Sequence, residues 1–185
     1  MGYSYHTEQW LPYPVEAVSA FFADPDNIPA LLPVRQQARI EKVSLVSPSD
    51  PANPGTTAYA GNGTRLTLSF RPFRYCPLRL RWEAEITEFS WNGRFCYRQV
   101  RGPFTWWCHC HRLRAVDRQG MDMTLVVDHV EYGLPLGFLG RLAHRLFLRR
   151  RIEAMFSFRQ SQLAQVFAQI PPRSDRPQPQ EQRSA

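Results

Sequence analysis

Two histidines, a carboxylate and a phenol stand in this sequence where strand geometry could bring them into one space. They lie in RGPFTWWCHCHRLRAV, from Arg101, and in MTLVVDHVEYGLP, from Met123, with polar residues spaced by twos. Residues i and i+2 of a strand share a face, so Trp107, His109, His111 and Leu113 form one row, with Trp106, Cys108 and Cys110 opposite. On the following strand Asp128, Val130, Tyr132 and Leu134 form a second row. Imidazole titrates near neutrality, and a carboxylate beside it fixes its tautomer and raises its basicity. His109 or His111 with Asp128 could therefore serve as general acid and base. The same groups could contact a ligand, or satisfy one another in a buried network, because a buried carboxylate needs partners. Cys108, His109, Cys110 and His111 are all metal-ligand types. Alternation sends thiols and imidazoles to opposite faces, however, and no second pair stands at zinc-finger spacing, so no metal site is expected. The same separation argues against a cysteine nucleophile activated by either imidazole.

These rows need a sheet and a layer to cover it. Strand patterns occupy residues 4–11, 35–46, 56–60, 64–70, 78–89, 94–101, 104–116 and 121–134. Asn62-Gly63, Asn92-Gly93 and Arg118-Gln119-Gly120 are turn sequences, so the later strands form an antiparallel meander. Val15, Val18, Phe21 and Phe22 predict a helix over 15–23, with Pro14 near its start. A second short helix is expected over 26–32, capped by Asp24 or Asp26 and stopped by Pro33. The stretch 47–55, SPSDPANPG, has loop composition. Beyond Pro135 the period changes. Phe138, Leu142, Leu146, Ile152, Phe156, Leu163 and Phe167 recur near 3.6, a helix of about 30 residues and roughly 45 Å that spans the sheet. A curved sheet gripping such a helix leaves a wedge that side chains do not fill, and apolar pockets of this kind hold ligands. Residues 171–185, PPRSDRPQPQEQRSA, are polar, Pro-rich and free of aromatics, and are expected to be a disordered tail behind one domain over 1–170.

At 185 residues with 43% hydrophobic and 13% aromatic content the chain suits one domain with a real core. Its formal charge of +7 is nearly all arginine, Lys42 being the one lysine. Outside Arg149, Arg150 and Arg151 the arginines are scattered, which argues against nucleic acid. That triplet, with Phe147 and Leu148 beside it, suits a solvated helix face or peripheral contact with an anionic membrane. No window of about 18 apolar residues suggests a transmembrane helix, and the N-terminus lacks a secretory pattern. A cytoplasmic location is therefore expected, with Cys76, Cys96, Cys108 and Cys110 as reduced thiols. Glu83 and Glu85 share a face with Arg81 and are expected to pair across strands with arginines of 94–101.

Three segments carry a family resemblance: PVEAVSAFFADPDNIPALLP (14–33), RGPFTWWCHCHRL (101–113) and DHVEYGLPLGFLGRLAHRLFLRRRIEAMFSFR (128–159). Over residues 4–168 the sequence resembles the SRPBCC superfamily, the helix-grip proteins that include START lipid-transfer domains and polyketide cyclases. It most resembles the bacterial branch labelled cyclase/dehydrase-like or "cell division inhibitor". The branch's Gly-Pro-aromatic turn falls on Gly102, Pro103 and Phe104, and its Trp-x-His-x-His on Trp107, His109 and His111. Its Asp-x-Val-x-Tyr falls on Asp128, Val130 and Tyr132, and its Leu-Pro-x-Gly helix entry on Leu134, Pro135 and Gly137. Met121 departs from the pattern, standing where a Gly-Thr pair usually precedes the last strand's Met.

The resemblance implies an α+β helix-grip domain: a curved antiparallel sheet of about seven strands wrapped around a long C-terminal helix, with two short helices after strand 1. It implies an internal cavity for a hydrophobic small molecule such as a lipid, isoprenoid quinone or polyketide-like aromatic, and no particular reaction or cofactor. The residues expected at the ligand are Trp82, Trp107, Tyr132, Leu142 and Phe156 as apolar wall, with His109, His111 and Asp128 as polar spot. A cyclase- or dehydratase-type enzyme using His109 or His111 is the alternative. A non-catalytic interaction protein docking through its basic C-terminal helix is a third reading.

Overall fold

The computed structural model describes residues 2–48, 59–72 and 77–169. Seven strands form one antiparallel sheet in the order β1-β7-β6-β5-β4-β3-β2. They are β1 (Gly2–Leu11), β2 (Arg39–Ser44), β3 (Arg65–Phe70), β4 (Leu80–Phe89), β5 (Arg94–Arg101), β6 (Trp106–Arg118) and β7 (Met121–Gly133). The longest hairpin, β6–β7, turns on Gln119 and Gly120 between the paired Arg118 and Met121. Their φ values of 54° and 79° give the doubly left-handed turn whose twist matches the strands it joins. Glu85 pairs with Arg98 of β5, the cross-strand pairing expected of it, and also with Arg65 of β3, which was not expected.

Helix α1 (Val15–Ala23) follows β1 and buries Val15, Val18, Phe21 and Phe22. The second short helix is instead two single 3-10 turns, Pro25–Asn27 and Pro29–Leu31. Proline has no N–H for an α-helical ladder, so each one restarts the chain. Asp24 caps the first turn, accepting from the Asp26 amide at 2.9 Å. The strand expected over 56–60 falls partly outside the described residues, and Tyr59 and Ala60 are irregular. The Ala60 amide bonds to Ala23 O at the end of α1, at 2.8 Å, and not to a strand. Asn62 and Gly63 accordingly lead into β3 without closing a described hairpin. The tail 171–185 and Cys76 lie outside the described residues.

The C-terminal helix runs unbroken from Gly137: α2 (Gly137–Ala143), a π-helical turn (His144–Leu148) and α3 (Arg149–Ala168). Its start lies hard against the segment that leaves β7, since a Cβ on Gly140 would come 2.2 Å from Pro135 O. No helix among the described residues is long and apolar enough to cross a membrane. Leu163 and Phe167 pack with α1, Leu11, Leu113 and Val126 at one end of the sheet. Ile152 and Phe156 pack with Trp107, Val130 and Tyr132 nearer the other. Each such side chain removed from water contributes roughly 1.5–3 kcal/mol, which clamps the helix at both ends of its inward stripe.

Candidate functional site

Beside the Ile152 and Phe156 cluster the sheet and helix separate around a cavity of about 1070 Å³, which these two residues and Trp107 themselves line. Its walls are apolar: Phe22 and Leu31 from the helical segment after β1, Leu66, Leu68, Trp82 and Ile86 from the sheet, and Ile152, Met155 and Phe156 from α3. Leu136, Leu139, Phe147, Arg151 and Arg35 line it while also standing exposed, so they mark its rim.

At the inner wall the three expected polar residues meet. His109, His111 and Asp128 are 0%, 1% and 2% exposed. The β6–β7 register sets His111 directly opposite Asp128, and His109 one inward position along. His109 Nε2 donates to Asp128 Oδ1 at 2.7 Å. His111 Nδ1 lies 2.5 Å from the same oxygen, off the line of a good hydrogen bond. Two residues not anticipated close the chain at either end. Tyr97, opposite His109 on β5, places its hydroxyl 2.7 Å from His109 Nδ1. Arg159 on α3 places Nη2 3.1 Å from His111 Nε2.

Donor chemistry fixes every proton in this chain. Guanidinium only donates, so His111 Nε2 accepts and its proton sits on Nδ1. Carboxylate only accepts, so His109 carries its proton on Nε2 and receives the Tyr97 hydroxyl at Nδ1. Burial pushes the His109 imidazole down to about 3, helped by the neighbouring His111. Burial also lowers His111, outweighing the attraction of Asp128. Burial alone would raise Asp128, but the two imidazoles, His111 foremost, hold it well below the ordinary carboxylate range. Burial raises the Tyr97 phenol. The site at neutral pH is therefore Tyr97-OH, neutral His109, Asp128 carboxylate, neutral His111 and Arg159 guanidinium, with one charge of each sign at separated positions.

Both imidazole lone pairs are thus occupied. General acid/base chemistry by either histidine would first require this chain to open. The three buried ligand types also stand close enough for an ion, with donor atoms within 4.8 Å of one another. However, His109 Nε2 already bonds Asp128 Oδ1 at 2.7 Å with His111 Nδ1 crowded against the same oxygen, and the Arg159 guanidinium next to them opposes a cation.

Of the residues expected at a ligand, Trp82, Trp107, His111 and Phe156 line the cavity. His109 and Asp128 sit behind His111 and are not lining residues. Tyr132 is also not a lining residue: its hydroxyl reaches His144 Nε2 at 2.9 Å, and burial pushes it up to about 12. Leu142 is 43% exposed on the outer face, which corrects its expected place in the wall. The π turn is the reason: one extra residue in a turn rotates the rest of the helix by about 100°, so the apolar rows before and after it do not share a face. Arg159 was legible in principle, because it stands three residues after Phe156 and four before Leu163, on the inward stripe.

On the sheet's other face, Cys96 and Cys110 form a disulfide with Cα atoms 4.1 Å apart. This overturns the expectation of reduced thiols, and the register explains it, for the two residues are direct cross-strand partners. Cys108 is a free thiol, which burial raises.

No protein-family model and no curated protein matches the sequence. Solved structures do. TTHA0849 from Thermus thermophilus superposes with a TM-score of 0.58 at 17% identity, over 89% of this chain and 99% of that one. Norcoclaurine synthase from Thalictrum flavum gives 0.56 at 14%, over 88% and 87%. Ara h 8.0201 gives 0.52 at 12%, over 87% and 97%. The chain has the Bet v1-like helix-grip fold. At these identities the likeness establishes the architecture alone, so the helix-grip frame says where a ligand would sit, and the residues above must say what it is.

Proposed function

We propose that this helix-grip protein binds, and transports or presents, a hydrophobic small molecule held between sheet and C-terminal helix. The observation that carries the reading is the apolar cavity of about 1070 Å³, at the upper end of the range typical of ligand pockets. Norcoclaurine synthase, which shares the fold, has been solved with dopamine and hydroxybenzaldehyde, so this architecture can admit aromatic small molecules. The occupied lone pairs of His109 and His111 favour a binding module over a cyclase- or dehydratase-type enzyme.

Loading from an anionic membrane surface is part of the proposal. Leu136, Phe138, Leu139, Leu142, Leu146 and Phe147 are all between 43% and 75% exposed on the helix entry, an apolar patch that continues into the cavity rim. Arg145, Arg149 and Arg150 stand exposed along the same segment, and Arg141 lies 5.8 Å over the Phe138 ring. Greasy residues ringed by arginine match an anionic interface better than a neutral one.

The test is native mass spectrometry of protein purified from its own host, with solvent extraction, alongside titration with the neutral probe N-phenyl-1-naphthylamine. A stoichiometric apolar ligand or saturable probe uptake is expected. A protein that carries nothing and takes up no probe overturns the reading.

A further inference from the structure

We infer that the ligand is an acid: an apolar molecule bearing one carboxylate, whose head is received by Arg159 at the inner end of the cavity. The inference rests on the proposed cavity binding and names the ligand's polar end.

The first ground is an unpaired charge. Arg159 lines the cavity, donates Nη2 to His111, and lies with its guanidinium 5.5 Å from the centre of the Phe22 ring. No ion pair joins it to a carboxylate among the described residues; Asp128 is reached only through the neutral His111 between them. Its Nε is buried and has no hydrogen-bond partner. A cation facing an apolar space is costly unless an anion joins it there.

The second ground is the sign of every unmet polar atom in the walls. Among the described lining residues, the buried side-chain atoms without a hydrogen bond are Trp82 Nε1, Trp107 Nε1, His111 Nδ1 and Arg159 Nε. His111 Nδ1 is already turned to Asp128. The rest are N–H groups that can only donate, so what completes them must accept. Buried polar groups left open call for such an account. A carboxylate only accepts, and it matches guanidinium geometry.

The third ground is stoichiometry of charge. Among the described lining residues Arg159 is the one guanidinium at the inner wall, whereas Arg35 and Arg151 stand exposed at the rim. One guanidinium balances one carboxylate. A phosphate monoester, at about −1.5 to −2 near neutral pH, would leave charge uncompensated among apolar walls.

The test displaces N-phenyl-1-naphthylamine from the full chain with hexadecanoic acid, its methyl ester and hexadecyl phosphate, in wild type and in Arg159→Met. Thermal melting of the variant reports folding. Wild type should take the acid at least tenfold more tightly than the ester or the phosphate. Arg159→Met should bring the acid down to the ester's level with the ester unchanged. Equal binding of acid and ester overturns the inference and leaves the cavity reading standing, as does an acid preference that survives in a folded Arg159→Met. Preference for the phosphate overturns the choice of carboxylate. Should the variant not fold, the comparison in wild type decides alone. Failure of the neutral probe itself to bind removes the cavity reading and this inference with it.

Discussion

Arg159 donates to His111 across 3.1 Å, and that contact joins the gripped helix to the middle of the sheet. Through it the helix reaches Asp128, which lies beyond one imidazole on the neighbouring strand. The relation makes the network structural as well as ligand-facing.

Asp128→Asn should therefore be among the most costly single changes. It removes the charge that both imidazoles address and leaves their N–H groups facing an amide, a loss of about 3 kcal/mol for buried hydrogen bonds to a charged group. Tyr97→Phe, which deletes a neutral hydrogen bond to His109, should cost about 1–2 kcal/mol. Urea denaturation ranks them, and a milder Asp128→Asn than Tyr97→Phe would sink the proposed charge arrangement.

Acid should destabilise the protein. His109 titrates near 3 in the folded chain against an ordinary value near 6.5, and His111 and Asp128 are lowered too. For each, the unfolded chain binds more protons than the folded one as pH falls below its unfolded value. The contribution of the histidines is complete above about pH 6.5 and is lost on acidification toward pH 3, whereas that of Asp128 is complete above about pH 3.8 and is lost only below it. His109 alone accounts for about 2 kcal/mol by pH 5. Urea midpoints at pH 7.5 and 5 check this, and a midpoint that holds or rises in acid contradicts it.

Filling the cavity should separate binding from folding. Ala84 lies in its wall on β4, opposite Leu66. Ala84→Trp should weaken N-phenyl-1-naphthylamine uptake about tenfold, the effect of some 1.4 kcal/mol, with the melting temperature held or raised. Undiminished uptake by the folded variant would place the probe elsewhere.

Liposome flotation reads the helix entry. Binding to vesicles rich in phosphatidylserine should fall when Arg149, Arg150 and Arg151 are changed together to Gln, and fall further with Phe138→Ser and Leu146→Ser. Neutral vesicles should bind weakly throughout. Equal flotation on neutral and anionic vesicles would discard the electrostatic part.

Alkylation without reductant should label Cys108 and spare Cys96 and Cys110, as peptide mass spectrometry would show. Labelling of all three would mean that the cross-strand bond does not form in the preparation used.

Strand alternation made the inward row of His109, His111 and Asp128 legible, because a period of two leaves each residue only one face to choose. Which groups satisfy them was not legible: Tyr97 and Arg159 arrive from elements 12 and 48 residues away in sequence. The inward stripe of α3 is visible in Ile152, Phe156, Leu163 and Phe167, yet apolar periodicity does not mark the arginine that stands among them. Leu142 was misplaced because periodicity assumes an unbroken 3.6-residue turn. The disulfide was not legible because Cys96 and Cys110 meet through the β5–β6 register, which cysteine count and an N-terminal pattern do not encode.

The pairing of β1 with β7 has a bearing on how the molecule assembles. Gly2–Leu11 joins Thr124–Gly133 along its whole length, with more than a hundred residues between the partners. The β6–β7 hairpin, closed by two residues, can zip locally on a microsecond scale. The N-terminal strand must wait for it, and the search across so large a loop is slow. Asp128 thus meets His109 and His111 early, while the β1 margin of the sheet is sealed later, across the longer loop.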